Sequence, residues 1–251
     1  MFRPRIIPVL LLKNLALVKS IKFKEHRYIG DPINAVRIFN ELKADELTLL
    51  DIEASRNKRL ISLDFVKNVG EEAFMPFSVG GGIKSIADIK AVINAGAERV
   101  VINTHAALNP DFIKEASETF GSSTIVVCID VKKKLFKGQR AWILSGNKST
   151  KYAPAEFAKL MEENGAGELI IQSIEKDGTM EGYDIELIKS ISTSVGIPVV
   201  ALGGAGKHED LIDAYRNGRA NALAAGSLFV YQSKKRGVLI NYPEKNELIF
   251  K

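Results

Sequence analysis

Asp130 closes the apolar run Ile125-Val126-Val127-Cys128-Ile129, and glycine-rich turns close two other runs, at Val79-Gly80-Gly81-Gly82 and Leu202-Gly203-Gly204-Ala205-Gly206. Glycines directly after a strand let backbone N–H groups approach an anion, and the first turn of a following helix adds further free donors. Phosphate suits such a place. Gly81 and Gly82 with Asn103 and Thr104 would make one cradle; Gly203 and Gly204 with Gly226 and Ser227, helped by Asp177 and Gly178, would make a second. Two cradles fit an elongated ligand phosphorylated at both ends, or one carrying a diphosphate. The bland alternative is that these glycines only serve tight turns, and their recurrence at one place in both halves of the chain weighs against it. Neither motif is GxGxxG, and Gly206-Lys207 is not a nucleotide P-loop, since Ala201 stands five residues before Gly206 and His208 follows the lysine. A carboxylate between the cradles can act as general acid or base; alternatively Asp130 caps a loop or pairs with Lys132 or Lys133. In the corresponding place after Ile6-Ile7-Pro8-Val9-Leu10 stands Leu11, which cannot move a proton.

The elements that must position these groups recur as β then α. Eight β-like runs lie near residues 6–12, 46–52, 76–79, 99–103, 124–130, 168–173, 197–202 and 221–225. Asp31-Pro32 reads as a helix cap followed by proline, with Ile33, Val36, Phe39 and Leu42 on one face. Ser85, Pro154 and Asp184 open further helices. Glu46-Leu47 and Glu168-Leu169 begin matching runs, and the glycine turns recur at nearly the same spacing, so the chain reads as a duplication with half-barrels at about 1–122 and 123–251. Eight βα units without a linker predict a single (β/α)8 TIM barrel; a doubly wound open sheet is the alternative, though it does not naturally repeat one order twice. The 132–151 segment, containing Trp142, is expected to form a hairpin over the barrel mouth, and the lysine-rich 13–30 segment a lid-like loop. At the opposite end, Arg5, Glu46, Arg99 and Glu168 stand at or near strand starts and could meet as an alternating ring across the floor. That ring would be either a stabilising ion-pair network or a gate over a passage along the axis.

Composition narrows the classes. The 251 residues are 46% hydrophobic and 26% charged, ample for a full core. A single cysteine, Cys128, excludes a disulfide framework and a CxxC metal site and suits a reducing, cytoplasmic setting. His26, His105 and His208 show no ligand spacing, so no metal or cofactor is expected, and no apolar run is long enough to span a bilayer. The net charge of +5 is densest at 132–134 and 234–236. It would draw phosphorylated or nucleotide-bearing small molecules. Without interleaved aromatics it does not point to nucleic acid.

Nearly end to end, the sequence resembles the cyclase subunit of imidazole glycerol phosphate synthase, a (β/α)8 barrel of the histidine-biosynthesis type. The resemblance is carried by Arg5-Ile6-Ile7-Pro8, Gly30-Asp31-Pro32, Asp45-Glu46-Leu47, Leu50-Asp51-Ile52, Val79-Gly80-Gly81-Gly82-Ile83, Ile102-Asn103-Thr104, Phe120-Gly121-Ser122, Asp177-Gly178-Thr179 and Gly203-Gly204-Ala205-Gly206-Lys207. It implies a glutaminase subunit docked on the barrel floor as the second half of a heterodimer, with ammonia passing through the barrel to a bisphosphorylated substrate at the mouth. It also implies that Arg5, Glu46, Arg99 and Glu168 form the ammonia gate, with arginine at one place where lysine is usual. Glu98 would face the glutaminase, and Lys19 would correspond to a catalytic lysine of the first loop. Of the two aspartates such cyclases use, only Asp130 is kept. Leu10-Leu11-Leu12-Lys13, Gly30-Asp31-Pro32-Ile33-Asn34-Ala35 and Ala225-Gly226-Ser227-Leu228-Phe229-Val230 resemble paralogues found with surface-polysaccharide genes. That implies ammonia delivery toward amidination of a nucleotide-linked acetamido sugar, beside a separate ligase-like amidotransferase. A true cyclase and a non-catalytic activator of the glutaminase are the competing readings.

Overall fold

The computed structural model describes residues 3–232, 237–244, 247, 248 and 250; the basic cluster at 234–236 lies outside the described residues. These residues form twelve strands: β1 (Arg5–Lys13), β2 (Ala16–Ile21), β3 (Lys24–Gly30), β4 (Leu47–Asp51), β5 (Phe77–Gly80), β6 (Arg99–Ile102), β7 (Ile125–Lys134), β8 (Gly138–Ile143), β9 (Lys148–Ser149), β10 (Glu168–Ser173), β11 (Val199–Leu202) and β12 (Ala222–Ala225). Eight of them, β1, β4, β5, β6, β7, β10, β11 and β12, pair in parallel in that order, and β12 pairs back onto β1. The sheet is closed and helices surround it, as a (β/α)8 barrel requires; the open-sheet alternative is excluded because the ring of strands has no edge.

Local chemistry sets the helices. Asp31 accepts the Asn34 N–H at 2.8 Å ahead of Pro32, Ser85 accepts from Asp88 at 3.1 Å, and Asp184 accepts from Leu187 at 3.1 Å. Each satisfies a donor that the first turn leaves free. The first helix, Pro32–Glu41, buries Ala35, Val36 and Phe39, whereas Leu42, expected on the same face, is its C-cap and exposed. The helix stops at Leu42 because the next residue, Lys43, turns into the left-handed region at φ +55°.

Strand side chains alternate between two cores. On β1, Ile6, Leu10 and Leu12 pack outward against the helices, while Ile7, Val9 and Leu11 pack inward with Val101, Val126, Cys128, Ile170, Val200 and Leu202. Burial on both faces is why these strands read as continuous apolar runs rather than alternating ones. The same alternation turns Asp130, two residues after inward Cys128, toward the axis.

Antiparallel ribbons extend two of the barrel strands beyond the mouth. β8 and β9 fold back on β7, as expected of the 132–151 hairpin. β2 and β3 fold back on β1, which corrects the expectation of a loop over 13–30. Lysine content disguised a strand whose Lys19 turns inward and is buried, as is Ser20. The Lys22 N–H donates to the Asp177 carbonyl at 2.9 Å, fastening this ribbon to the loop after β10. No helix among the described residues is long and apolar enough to cross a membrane.

Candidate functional site

Two adjoining cavities occupy the mouth, at the C-terminal ends of the barrel strands, and share Leu11, Ser20 and Gln172 as walls. The larger, about 110 Å³, is bounded by Gly81, Gly82, Asn103, Thr104 and Asp130. The smaller, about 30 Å³, is bounded by Lys19, Asp177, Gly178, Gly203, Gly204, Gly226 and Ser227. Each group of residues assigned to a cradle thus meets around one cavity. The glycine turns are sterically enforced: a Cβ on Gly82, at φ +72°, would lie 1.8 Å from the Arg59 carbonyl oxygen. Gly226 has a different reason. A Cβ there would come within 2.4 Å of the Lys19 ammonium, so its absence makes room for a cation inside the second cradle.

Asn103 behaves unlike a simple anion donor. Its amide nitrogen faces the Cys128 carbonyl at 2.9 Å, Asp130 Oδ2 at 3.3 Å and the Trp142 carbonyl at 3.4 Å, so it orients the aspartate and ties β7 to the ribbon above. The Thr104 hydroxyl accepts the Leu144 N–H at 3.1 Å. On the other side of Asp130, the Cys128 thiol donates to Oδ1 at 3.5 Å. Burial pushes the Cys128 thiol well up, which keeps it a donor. In the sequence Cys128 is one member of the apolar run Ile125–Ile129 and shows no sign of this contact. Stepping back two residues from Asp130 along the strand would have found it, and Gln172, in register with Asp130 on β10, is found the same way.

Burial pushes the Asp130 carboxyl up to about 7; the Cys128 hydrogen bond opposes this, and the charge of Asp177 reinforces it. Burial lowers Lys19 to about 8, against the pull of Asp177. Its ammonium donates to the Val9 carbonyl at 2.5 Å. Asp130 is therefore ionised, and Lys19 still protonated, only in a narrow band near pH 7–8. Sulfate, whose charge is fixed over this range, should bind the second cradle about tenfold more weakly at pH 9 than at pH 7, as Lys19 passes through about 8. Lys19→Met should bind weakly at both pH values. A wild-type affinity flat across that interval, measured by calorimetry, would remove Lys19 from anion binding. The stability signs are opposite for the two groups. Asp130, raised from 3.8, lowers stability as pH rises from about 4 to 7, whereas Lys19, lowered from 10.5, relieves its burial cost as pH rises from about 8 to 10.5.

Leu11 faces this carboxylate across the mouth, since β1 and β7 are four strands apart in a ring of eight. Two further carboxylates border the cavities, but each is engaged. Asp51 pairs with Arg59 at 2.5 Å and accepts the Glu53 and Ala54 N–H groups at 3.0 and 3.1 Å. Asp177 accepts from Ser20 Oγ at 2.7 Å, the Phe23 N–H at 3.2 Å and Gln172 at 3.3 Å. Neither fills the place of an acid at position 11.

Arg5, Glu46, Arg99 and Glu168 meet at the floor, and each arginine bridges both glutamates. The Arg5–Glu46 and Arg99–Glu168 contacts are 2.5 Å. Burial raises the Glu46 carboxyl, with Arg99 and Arg5 opposing. Glu98 stands beside this ring on the exposed floor, its carboxylate accepting the Phe77 N–H at 2.8 Å.

Comparison with known proteins agrees with this geometry. Residues 5–235 match the histidine biosynthesis protein family. A Pseudomonas aeruginosa protein provisionally named imidazole glycerol phosphate synthase subunit hisF2 is 45% identical over 248 residues, covering 99% of each chain. A Leptospira interrogans protein provisionally named subunit HisF is 43% identical over 98% of each chain, and a Vibrio vulnificus protein provisionally named subunit hisF3 is 41% identical over 98% of this chain and 95% of its own. A closed barrel with this floor and mouth, matched over nearly its whole length, belongs to the histidine biosynthesis protein family, among the relatives of the imidazole glycerol phosphate synthase cyclase subunit.

Proposed function

We propose that this barrel is the ammonia-accepting subunit of a glutamine amidotransferase. A glutaminase docks on the floor beside Glu98, the ring of Arg5, Glu46, Arg99 and Glu168 opens to admit ammonia, and the mouth delivers it to a phosphorylated or nucleotide-linked substrate. The product served is an amidinated acetamido sugar for a surface polysaccharide, completed beside a separate amidotransferase ligase. The observation that carries the reading is Leu11 opposite Asp130: the floor and both anion cradles are kept, while the mouth holds one member of an acid/base couple. Ring closure of the cyclase type, which needs proton transfer at two places, is thereby disfavoured.

The test is reconstitution with a glutaminase subunit of the imidazole glycerol phosphate synthase type from the same organism. A complex should form on gel filtration, and glutamine hydrolysis should rise on its formation. Amide nitrogen from labelled glutamine should appear in a sugar amidine when the ligase is added, and not in an imidazole product. Absence of a complex would falsify the proposal. Rescue of a histidine auxotroph lacking the cyclase, with Leu11 intact, would instead establish a true cyclase. Full glutaminase activation and undiminished sugar product from a variant with Asp130→Asn and both cradles disrupted would leave only an activator.

A further inference from the structure

Among the described residues no ion pair reaches Asp130, whose carboxylate is buried in the wall of the larger cavity. Two uncharged donors serve it instead. Cys128 precedes it by two residues on β7, and strand side chains two apart share a face, so thiol and carboxylate lie side by side toward the axis. The thiol donates to Oδ1 at 3.5 Å and the Asn103 amide to Oδ2 at 3.3 Å, one donor to each oxygen.

The two donors are not equivalent. The Asn103 amide nitrogen also faces the Cys128 carbonyl at 2.9 Å and the Trp142 carbonyl at 3.4 Å, so its two hydrogens are divided among three acceptors. The thiol has one hydrogen, and Oδ1 takes it. Packing alone does not call for sulfur here, because every other member of the inward cluster around Cys128 is a hydrocarbon side chain. Burial keeps the thiol protonated, so it donates whether or not Asp130 is ionised. A donor bonds a carboxylate more strongly than a carboxylic acid and so favours the charged form. The charged groups around the mouth give no such help. Asp177 opposes ionisation of Asp130, Asp51 is taken up by Arg59, Lys19 lies against the Val9 carbonyl, and Lys132 stands over the Trp142 ring, 5.1 Å from its centre. Leu11 on β1, Asn103 after β6 and Gln172 on β10 are uncharged.

We propose that Cys128 is a positioning residue for Asp130, its thiol fixing Oδ1, and with it the orientation and charge of the mouth's carboxylate, while the Asn103 amide steadies Oδ2. The proposal rests on Asp130 being the acid/base group of the mouth. Residue 128 then helps to set the pH at which that group works, in a mouth where Leu11 supplies no second carboxylate.

Cys128 is the only cysteine of the chain, so its S–H stretch gives a single infrared band. In the full wild-type chain this band should move to lower frequency between about pH 5 and about pH 9, with a midpoint near 7 as Asp130 ionises. In Asp130→Asn it should stay still. Carbon-13 NMR of labelled aspartate carboxyls should show the Asp130 midpoint raised by about half a pH unit in Cys128→Ala, the worth of one weak hydrogen bond. Cys128→Ser, which keeps a donor, should not raise it. A wild-type S–H band that does not move with pH refutes the proposal without any variant having to fold, and so does a Cys128→Ala midpoint equal to that of the wild type. Both measurements are made without substrate. Failure of Asp130 as an acid/base group in turnover would leave them intact, so the two readings fail separately.

Discussion

Leu11→Asp should raise ammonia-dependent ring closure of the family's bisphosphorylated substrate by about 10²–10⁴-fold, the usual worth of a positioned acid or base. Leu11 lines both mouth cavities and turns inward opposite Asp130, so a carboxylate there faces the reacting region without rebuilding a strand. Burial and the nearby Asp130 charge will hold the new carboxyl above its ordinary range, so the gain should be larger at pH 8 than at pH 6. Turnover of the purified variant with ammonium salt in place of glutamine isolates the barrel from its glutaminase. No gain from a variant that folds normally would mean that the mouth has changed shape for another substrate and that the missing proton-transfer group is not the sole barrier.

Glu168→Ala should be one of the two costliest single changes at the floor, the other being Glu46→Ala, which removes bridges to the same arginines. Loss of Glu168 deprives Arg5 and Arg99 of one partner each and leaves Arg99, only 18% exposed, with Glu46 alone. Breaking a buried ion pair from one side costs about 3–5 kcal/mol. Because Arg5 is 37% exposed and partly screened, the low end applies, about 3 kcal/mol. For a chain of this size that lowers the melting temperature by about 6–12 °C. Glu168→Gln, which preserves shape and can still accept hydrogen bonds, should lose less. A melting curve for Glu168→Ala that overlays the wild type would show that the four floor charges do not act as a network.

Much of this architecture could be read from the chain alone. Continuous apolar runs such as Ile125–Ile129 reported strands buried on both faces, and capping residues such as Asp31 and Ser85 marked helix starts that the structure reproduces. The four floor residues were visible because charge at the start of an apolar strand is conspicuous. The β2–β3 ribbon was not, because strand pairing is a long-range property and the lysine at its centre looks solvated in one dimension. The partners of Asp130 were hidden for a related reason. Cys128 passes for core unless strand periodicity is followed to the mouth, and the Asn103 amide turns toward Asp130 through a contact 27 residues away in sequence.

Asp177 reaches in two directions at once. It fastens Ser20 and Phe23 of the first ribbon, and it is the negative neighbour of Lys19. The Lys22 N–H adds a third tie, to the Asp177 carbonyl, so the charge that moderates Lys19 and the fastening of the ribbon rest on one residue. A change at Asp177 therefore reaches the lysine and the ribbon together, as one hinge pin serves both leaves.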